Sequence, residues 1–166
     1  MQFPLCDDCL SSADLCGGCS EKLQSGSITK EAVDVSRFLF SIKDKSSGLQ
    51  DAKVKNIIDS DVLIIVTGKG DAAKVVGKGG AVVKELAKKY NKSIKVLEEK
   101  DFKPFVSDFL NPITITGTNI LYTPEGEVLR IRAPLSQKSK FHISDESFSK
   151  IVEQLYGKKA EIVFEE

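Results

Sequence analysis

The sequence has no net charge, no cysteine after position 19, a single histidine and no hydrophobic run of membrane-spanning length. Each absence excludes something. The 24 basic and 24 acidic residues cancel, so the chain is not a polycation that coats any nucleic acid it meets. Its start, MQFPLCDDC, has neither the basic flank nor the apolar stretch of a secretory signal. No segment approaches the roughly 18 apolar residues of a membrane span, and a cytoplasmic protein without membrane partners is expected. One histidine, His142 in KFHIS, and the lack of a serine elbow leave nucleophilic and acid–base catalysis without a cast of residues. The expectation is a non-enzymatic protein with no small-molecule substrate.

What is present is unevenly spread. Residues 69–95 hold eight lysines against Asp71 and Glu85, a local charge of +6, whereas residues 1–26 carry −3. A basic face inside a neutral protein suggests one anion-binding surface. All four cysteines lie in the first nineteen residues, in the pairs CDDC and CGGC. In a reducing compartment that pattern points to metal rather than disulfides. Cys6, Cys9, Cys16 and Cys19 would saturate one tetrahedral zinc and leave no open coordination position for chemistry. Iron–sulfur ligation is the rival, although the spacing matches neither ferredoxin pattern.

Hydrophobic periodicity divides the remainder. Thr29 is placed to cap a helix whose Ala32, Val35, Leu39 and Ile42 share one face. KVKNIID (53–59) and DVLIIVT (61–67) read as strands, the second apolar enough to be central. A short helix over 71–76, a glycine loop, a helix carrying Val82, Val83, Leu86 and Tyr90, and the strand SIKVLEE complete an α-β-β-α-α-β order. The remaining residues repeat part of it. DFKPFVSDFL is helical, ITITGTNILYT and EVLRIRAP are strands about a TPEG turn, LSQKSK is a polar loop, Ser144 caps a last helix that Gly157 stops, and AEIVFEE is a strand. The phenylalanines at helical spacing are expected in the core. Arg130 and Arg132 share one strand face, free to touch phosphate or simply solvated. The fold class expected is α+β, with an N-terminal knuckle over 1–26, a first unit over 27–100 and a degenerate second unit over 101–166.

VVGKGGAVVKEL concentrates the chemistry. Gly77, Lys78, Gly79 and Gly80 interrupt two helical stretches, and glycine inside a helix costs about 1 kcal/mol relative to alanine, so these residues form a loop that opens a helix. The first amides of a helix lack partners, and its dipole favours an anion there. Lys78 adds charge at the tip, with Lys74 and Lys84 to either side. The plain alternative is a tight turn between packed helices. A triphosphate P-loop fails, because Ala72 and Gly79 stand where glycine and serine or threonine are needed. GKGDAA (68–73) fits a dinucleotide fingerprint, with Glu98 as the acidic partner, but the chain lacks the paired βαβ halves such a cofactor requires.

These residues resemble the core of a KH domain, in which an apolar pair, here Val75 and Val76, precedes a G-x-x-G loop and an apolar residue, Val83, follows. The element order is similar to the type II form, over residues 28–99. The resemblance implies a loop that clamps the backbone of about four nucleotides of single-stranded RNA, with Lys74, Val75, Val76, Gly77, Lys78, Gly79, Gly80 and Lys84 as contacts. The second unit resembles the second KH domain of archaeal NusA-like proteins through FVSDFLNPITITGTNI. It has no G-x-x-G after Arg132, which implies support or protein contact rather than RNA clamping. Expected partners are single-stranded or ribosomal RNA, with RNA polymerase or the ribosome. The rival is a zinc-dependent adaptor on either machine with secondary RNA contact.

Overall fold

Three strands build the first sheet: β1 (Val54–Asp59), β2 (Leu63–Thr67) and β3 (Ile94–Glu98), in the order β1-β2-β3. The computed structural model, which describes residues 1–166, places β2 at the centre, buried at every residue, as its run of leucine, isoleucine and valine requires. β1 is antiparallel to β2 and β3 is parallel to it. A parallel neighbour needs a crossover connection, and here that connection holds both helices of the glycine loop. They are α4 (Ala72–Val76) and α5 (Ala81–Tyr90).

Ahead of the sheet lie α1 (Asp7–Ser11), α2 (Gly17–Gln24) and α3 (Lys30–Ser41). The Thr29 hydroxyl accepts the Ala32 N–H at 3.1 Å and so starts α3 as its sequence implies. α3 buries two faces. Val35 and Leu39 pack with Leu49, Leu63, Ile65, Val75, Val82 and Leu86 over the sheet. Val33, on another side, joins Leu5, Cys9, Leu10, Cys19 and Ile28 in a second cluster. The cysteine segment and the first sheet therefore share one unit, Met1–Lys100. Gln2 extends this union by a parallel bridge to Lys53 beside β1.

The second unit, Asp101–Glu166, repeats the strand pattern. β4 (Gly117–Thr123) pairs antiparallel with β5 (Gly126–Pro134), which pairs parallel with β6 (Lys159–Glu165). α6 (Phe102–Leu110) precedes the sheet and α7 (Asp145–Tyr156) forms the crossover. The phenylalanines sit in the core, Phe105, Phe109 and Phe148 being essentially inaccessible, with Phe109 and Phe148 stacked at 5.6 Å. Where the first unit has α4 and its glycines, the second has a 3-10 turn, Leu135–Lys140, the segment expected as a polar loop. β4 starts at Gly117, later than its isoleucine–threonine alternation suggests, because the Thr114 N–H donates to the Gln137 side chain instead of a strand.

One buried carboxylate ties the loop region of the first unit to its sheet. Asp71 is only 6 % exposed; its Oδ2 accepts the Lys53 N–H at 3.1 Å and its Oδ1 pairs with the Lys74 ammonium at 2.7 Å. The Lys74 ammonium, with the Lys53 amide, holds the carboxyl below its usual range. A carboxyl depressed on folding stabilises the fold above its unfolded-state value and loses that contribution as pH falls through the folded value. Asp71→Ala is therefore expected to lower the thermal midpoint by several degrees at neutral pH. It should also flatten the acid-side fall in stability, both readable by calorimetry across a pH series. A variant with an unchanged midpoint and pH profile would show that this carboxylate holds nothing.

Candidate functional site

The four cysteines are positioned to bind one metal ion. Their sulfurs all lie within 4.8 Å of one another. Cys6 Sγ is 3.7 Å from the sulfurs of both Cys16 and Cys19. A tetrahedral ion with metal–sulfur bonds of about 2.3 Å requires sulfur–sulfur edges of about 3.8 Å, so the spacing fits one ion. It is far too wide for a disulfide, whose bond is about 2.05 Å. Sulfurs this close suit a single metal ion better than a cluster whose several irons each need a ligand.

Helix geometry explains why the two CxxC pairs converge. Cys6 is the N-cap of α1 and Cys16 the N-cap of α2, with Cys9 and Cys19 three residues on. In each pair both sulfurs lie at a helix N-terminus, where the dipole favours thiolate. The Cys16 N–H donates to Cys9 Sγ at 3.1 Å. Cys9 and Cys19 are buried and Cys6 and Cys16 exposed. Backbone donation from Cys19, followed by the neighbouring sulfurs, lowers the Cys16 thiol to about 7. Cys9 also gains from the Cys16 amide, but burial and the three other thiols together push it up to about 12. With its thiol raised, Cys9 keeps its proton at neutral pH unless a metal cation displaces it.

Arg37 is a member of this centre that sequence reasoning missed. From α3 its Nε donates to the Cys9 carbonyl at 2.9 Å and its Nη2 to the Ala13 carbonyl at 3.0 Å. The guanidinium thus bolts the loop between the two cysteine pairs onto α3. Nothing local in the sequence marks it, since the partners are 28 and 24 residues away and are backbone atoms.

The glycine loop is the second feature. Gly77, Gly79 and Gly80 all have positive φ, at 76°, 61° and 74°. A Cβ on Gly77 would lie 2.7 Å from Cγ2 of the buried Val82, so sterics and dihedral both demand glycine there. Gly79 and Gly80 face open space and are needed only for backbone conformation. The Gly77 carbonyl accepts the Gly80 N–H at 3.0 Å, and no acceptor in the protein takes the Lys78 and Gly79 amides. These two N–H groups stand at the entry to α5, beside the Lys78 ammonium, which has no ion-pair partner.

The remaining residues singled out around this loop have distinct surroundings. Lys84 is exposed and unpaired, whereas Lys74 is committed to Asp71. Val76 is half-buried, and Val75 is fully buried in the core, where it supports the loop from beneath instead of lining a surface. In the second unit, Arg130 pairs with Glu161, and Arg132 reaches Asn119 at 3.0 Å and Glu165 at 3.5 Å. Those arginines are spent on carboxylates and an amide, not held free for phosphate. The GKGDAA stretch opens a helix of only five residues that ends at Gly77, and its Asp71 carboxylate is already engaged.

No helix is long and apolar enough to cross a membrane. No family model matches the sequence, and no curated protein matches it. Among solved structures, the crystal structure of APE1850 superposes with a TM-score of 0.58 at 19 % identity, covering 78 % of this chain and 96 % of that one. The likeness is therefore one of fold, and it extends over most of both chains.

Proposed function

We propose that this protein binds single-stranded RNA through a type II KH domain over residues 27–100, with the 77–80 loop gripping the phosphate backbone and a structural zinc in the cysteine centre. The observation that carries the reading is the pair of free amides at Lys78 and Gly79, presented by positive-φ glycines at a helix start beside an unpaired ammonium. That combination suits a phosphate oxygen: two N–H donors, a favourable dipole and a full positive charge converge on one point. Glycine at 77, 79 and 80 lets a sugar–phosphate chain approach the backbone closely. The order β1-β2-α4-loop-α5-β3, with α3 ahead of it, supports the KH assignment. The second unit, lacking such a loop, serves as a degenerate KH-like companion. Ribosomal RNA or a nascent transcript would supply the strand.

The donor set supports zinc, since four thiolates at tetrahedral spacing with no open position suit a structural ion of that kind. The centre then acts by fixing the first turn of chain against α3 and takes no part in chemistry.

Salt dependence tests the RNA reading. Lys78 and Lys84 are the unpaired lysines beside the loop, so the affinity for a short unstructured RNA should fall by about 1.4 log units per log unit of salt, about 0.7 for each phosphate contact. A titration in which RNA binding is absent, or indifferent to salt, would contradict it. The adaptor reading draws support from the edge strand β4, where Ile120 is 52 % and Tyr122 79 % exposed, an apolar surface suited to a protein partner.

A further inference from the structure

The two sheets have four edge strands, β1, β3, β4 and β6, and three of them are guarded against pairing with another chain. β1 carries Lys55 and Asp59 and breaks its register with a bulge between Val54 and Asn56. β3 carries Lys95 and Glu98, and β6 carries Lys159, Glu161 and Glu165. Charges and bulges are what keep an edge single. β4 has neither: GTNILYT holds no charged residue and no proline, and all seven of its residues pair with β5 in unbroken register. Five of the seven are exposed, Ile120 and Tyr122 among them. No strand of the chain pairs with the outer side of β4. We infer that β4 is a dimerisation edge, pairing antiparallel with β4 of a second copy about a two-fold axis at Ile120 and joining two three-stranded sheets into one of six.

The backbone sets the kind of partner. A row of unpaired N–H and C=O groups is satisfied by an extended strand rather than by a helix or a small molecule. The lack of charge favours a second copy. A foreign strand chosen by its charges would find no counter-charge here, whereas self-pairing brings no like charges together. Centring on Ile120 is the register that uses the whole strand: Ile120 meets itself, Asn119 meets Leu121, Thr118 meets Tyr122 and Gly117 meets Thr123. Directly opposite residues share a face, so both isoleucines lie on the side of Leu129, the β5 partner of Ile120. There Phe102, Ile120 and Leu129 give apolar surface to a groove of about 440 Å³, and the second isoleucine continues that surface across the seam. Such a contact is isologous, so it closes at two copies.

Sedimentation equilibrium of the full chain tests this. One strand pair is a small interface, so the concentration should reach about 500 µM, where the mass should rise from one chain to two and no further. Ile120→Lys sets two ammonium groups opposite each other and should raise the dissociation constant at least about tenfold, as should Ile120→Glu with two carboxylates. Mixed one to one, the two variants should recover the dimer, because lysine then meets glutamate. That rescue requires a seam in which residue 120 faces its own copy. Ile120 is exposed, so each variant should keep the circular dichroism of the wild type. A wild type that stays monomeric throughout, a dimer indifferent to both substitutions, or a mixture of folded variants that remains monomeric overturns the inference. The RNA-binding reading stands or falls separately, since it uses no residue of β4.

Discussion

Stripping the metal from the cysteine centre is expected to unfold the N-terminal segment and to lower the thermal midpoint of the Met1–Lys100 unit by more than about 10 °C. α1 and α2 have five and eight residues, too few to persist alone in water, and Gly17 and Gly18 weaken α2 further at its start. The cluster of Leu5, Leu10, Ile28 and Val33 closes around Cys9 and Cys19, and in the proposed reading a bound ion supplies the rest of their stability. Ligation and folding of this segment are one event, and its loss strips one face of α3. Cys9→Ser should act like a chelator, since it removes a buried ligand and the sulfur that accepts the Cys16 amide. Elemental analysis of the reduced protein should find one zinc per chain, falling toward none in Cys9→Ser and as the pH drops and protons compete for the thiolates. A metal-free protein with the same midpoint, or one carrying several irons per chain, would refute the assignment.

Much of this fold can be read from local sequence because its signals are local. β2 is a short apolar run that only a central strand accommodates, and Thr29, Ser144 and Gly157 act where their chemistry suggests. The Ser147 N–H donates to Ser144 Oγ, and Gly157 ends α7 in the left-handed region. The cysteine spacing likewise brings four sulfurs within reach of one ion because each CxxC occupies one helical turn. The less legible features depend on atoms distant in sequence. Arg37 and Asp71 read as ordinary surface charges until the chain is folded, because their partners are backbone groups 28 and 18 residues away. Helix α2 begins at two glycines that propensity would leave in a loop, with Cys16 as its N-cap. Val75 shows the same limit. Its neighbour Val76 is half-exposed and Val75 is not, and which of two adjacent valines faces outward depends on how α4 packs on the sheet.

Replacing Lys78 and Gly79 together with aspartate should abolish most RNA binding while leaving the protein folded. Lys78 is exposed and unpaired, so its loss removes no contact within the fold. Gly79 has a φ of 61° and nothing within 4 Å of an added Cβ, and aspartate is among the residues that tolerate this left-handed region. The effect on phosphate is severe. A positive tip becomes doubly negative beside two amides and a helix start, so attraction turns to repulsion at the point of contact. With the Lys78 contact gone, the salt slope should also become shallower by about 0.7 log units per log unit. The decisive measurement is the RNA affinity of this double variant, taken with its circular dichroism and melting temperature. The account predicts a fall of at least about 100-fold, on the order of 2.7 kcal/mol, with an unchanged spectrum and a midpoint within a few degrees of wild type. A folded variant that binds RNA as tightly as wild type would reduce the glycine loop to a turn and leave protein contact as the better explanation of this chain.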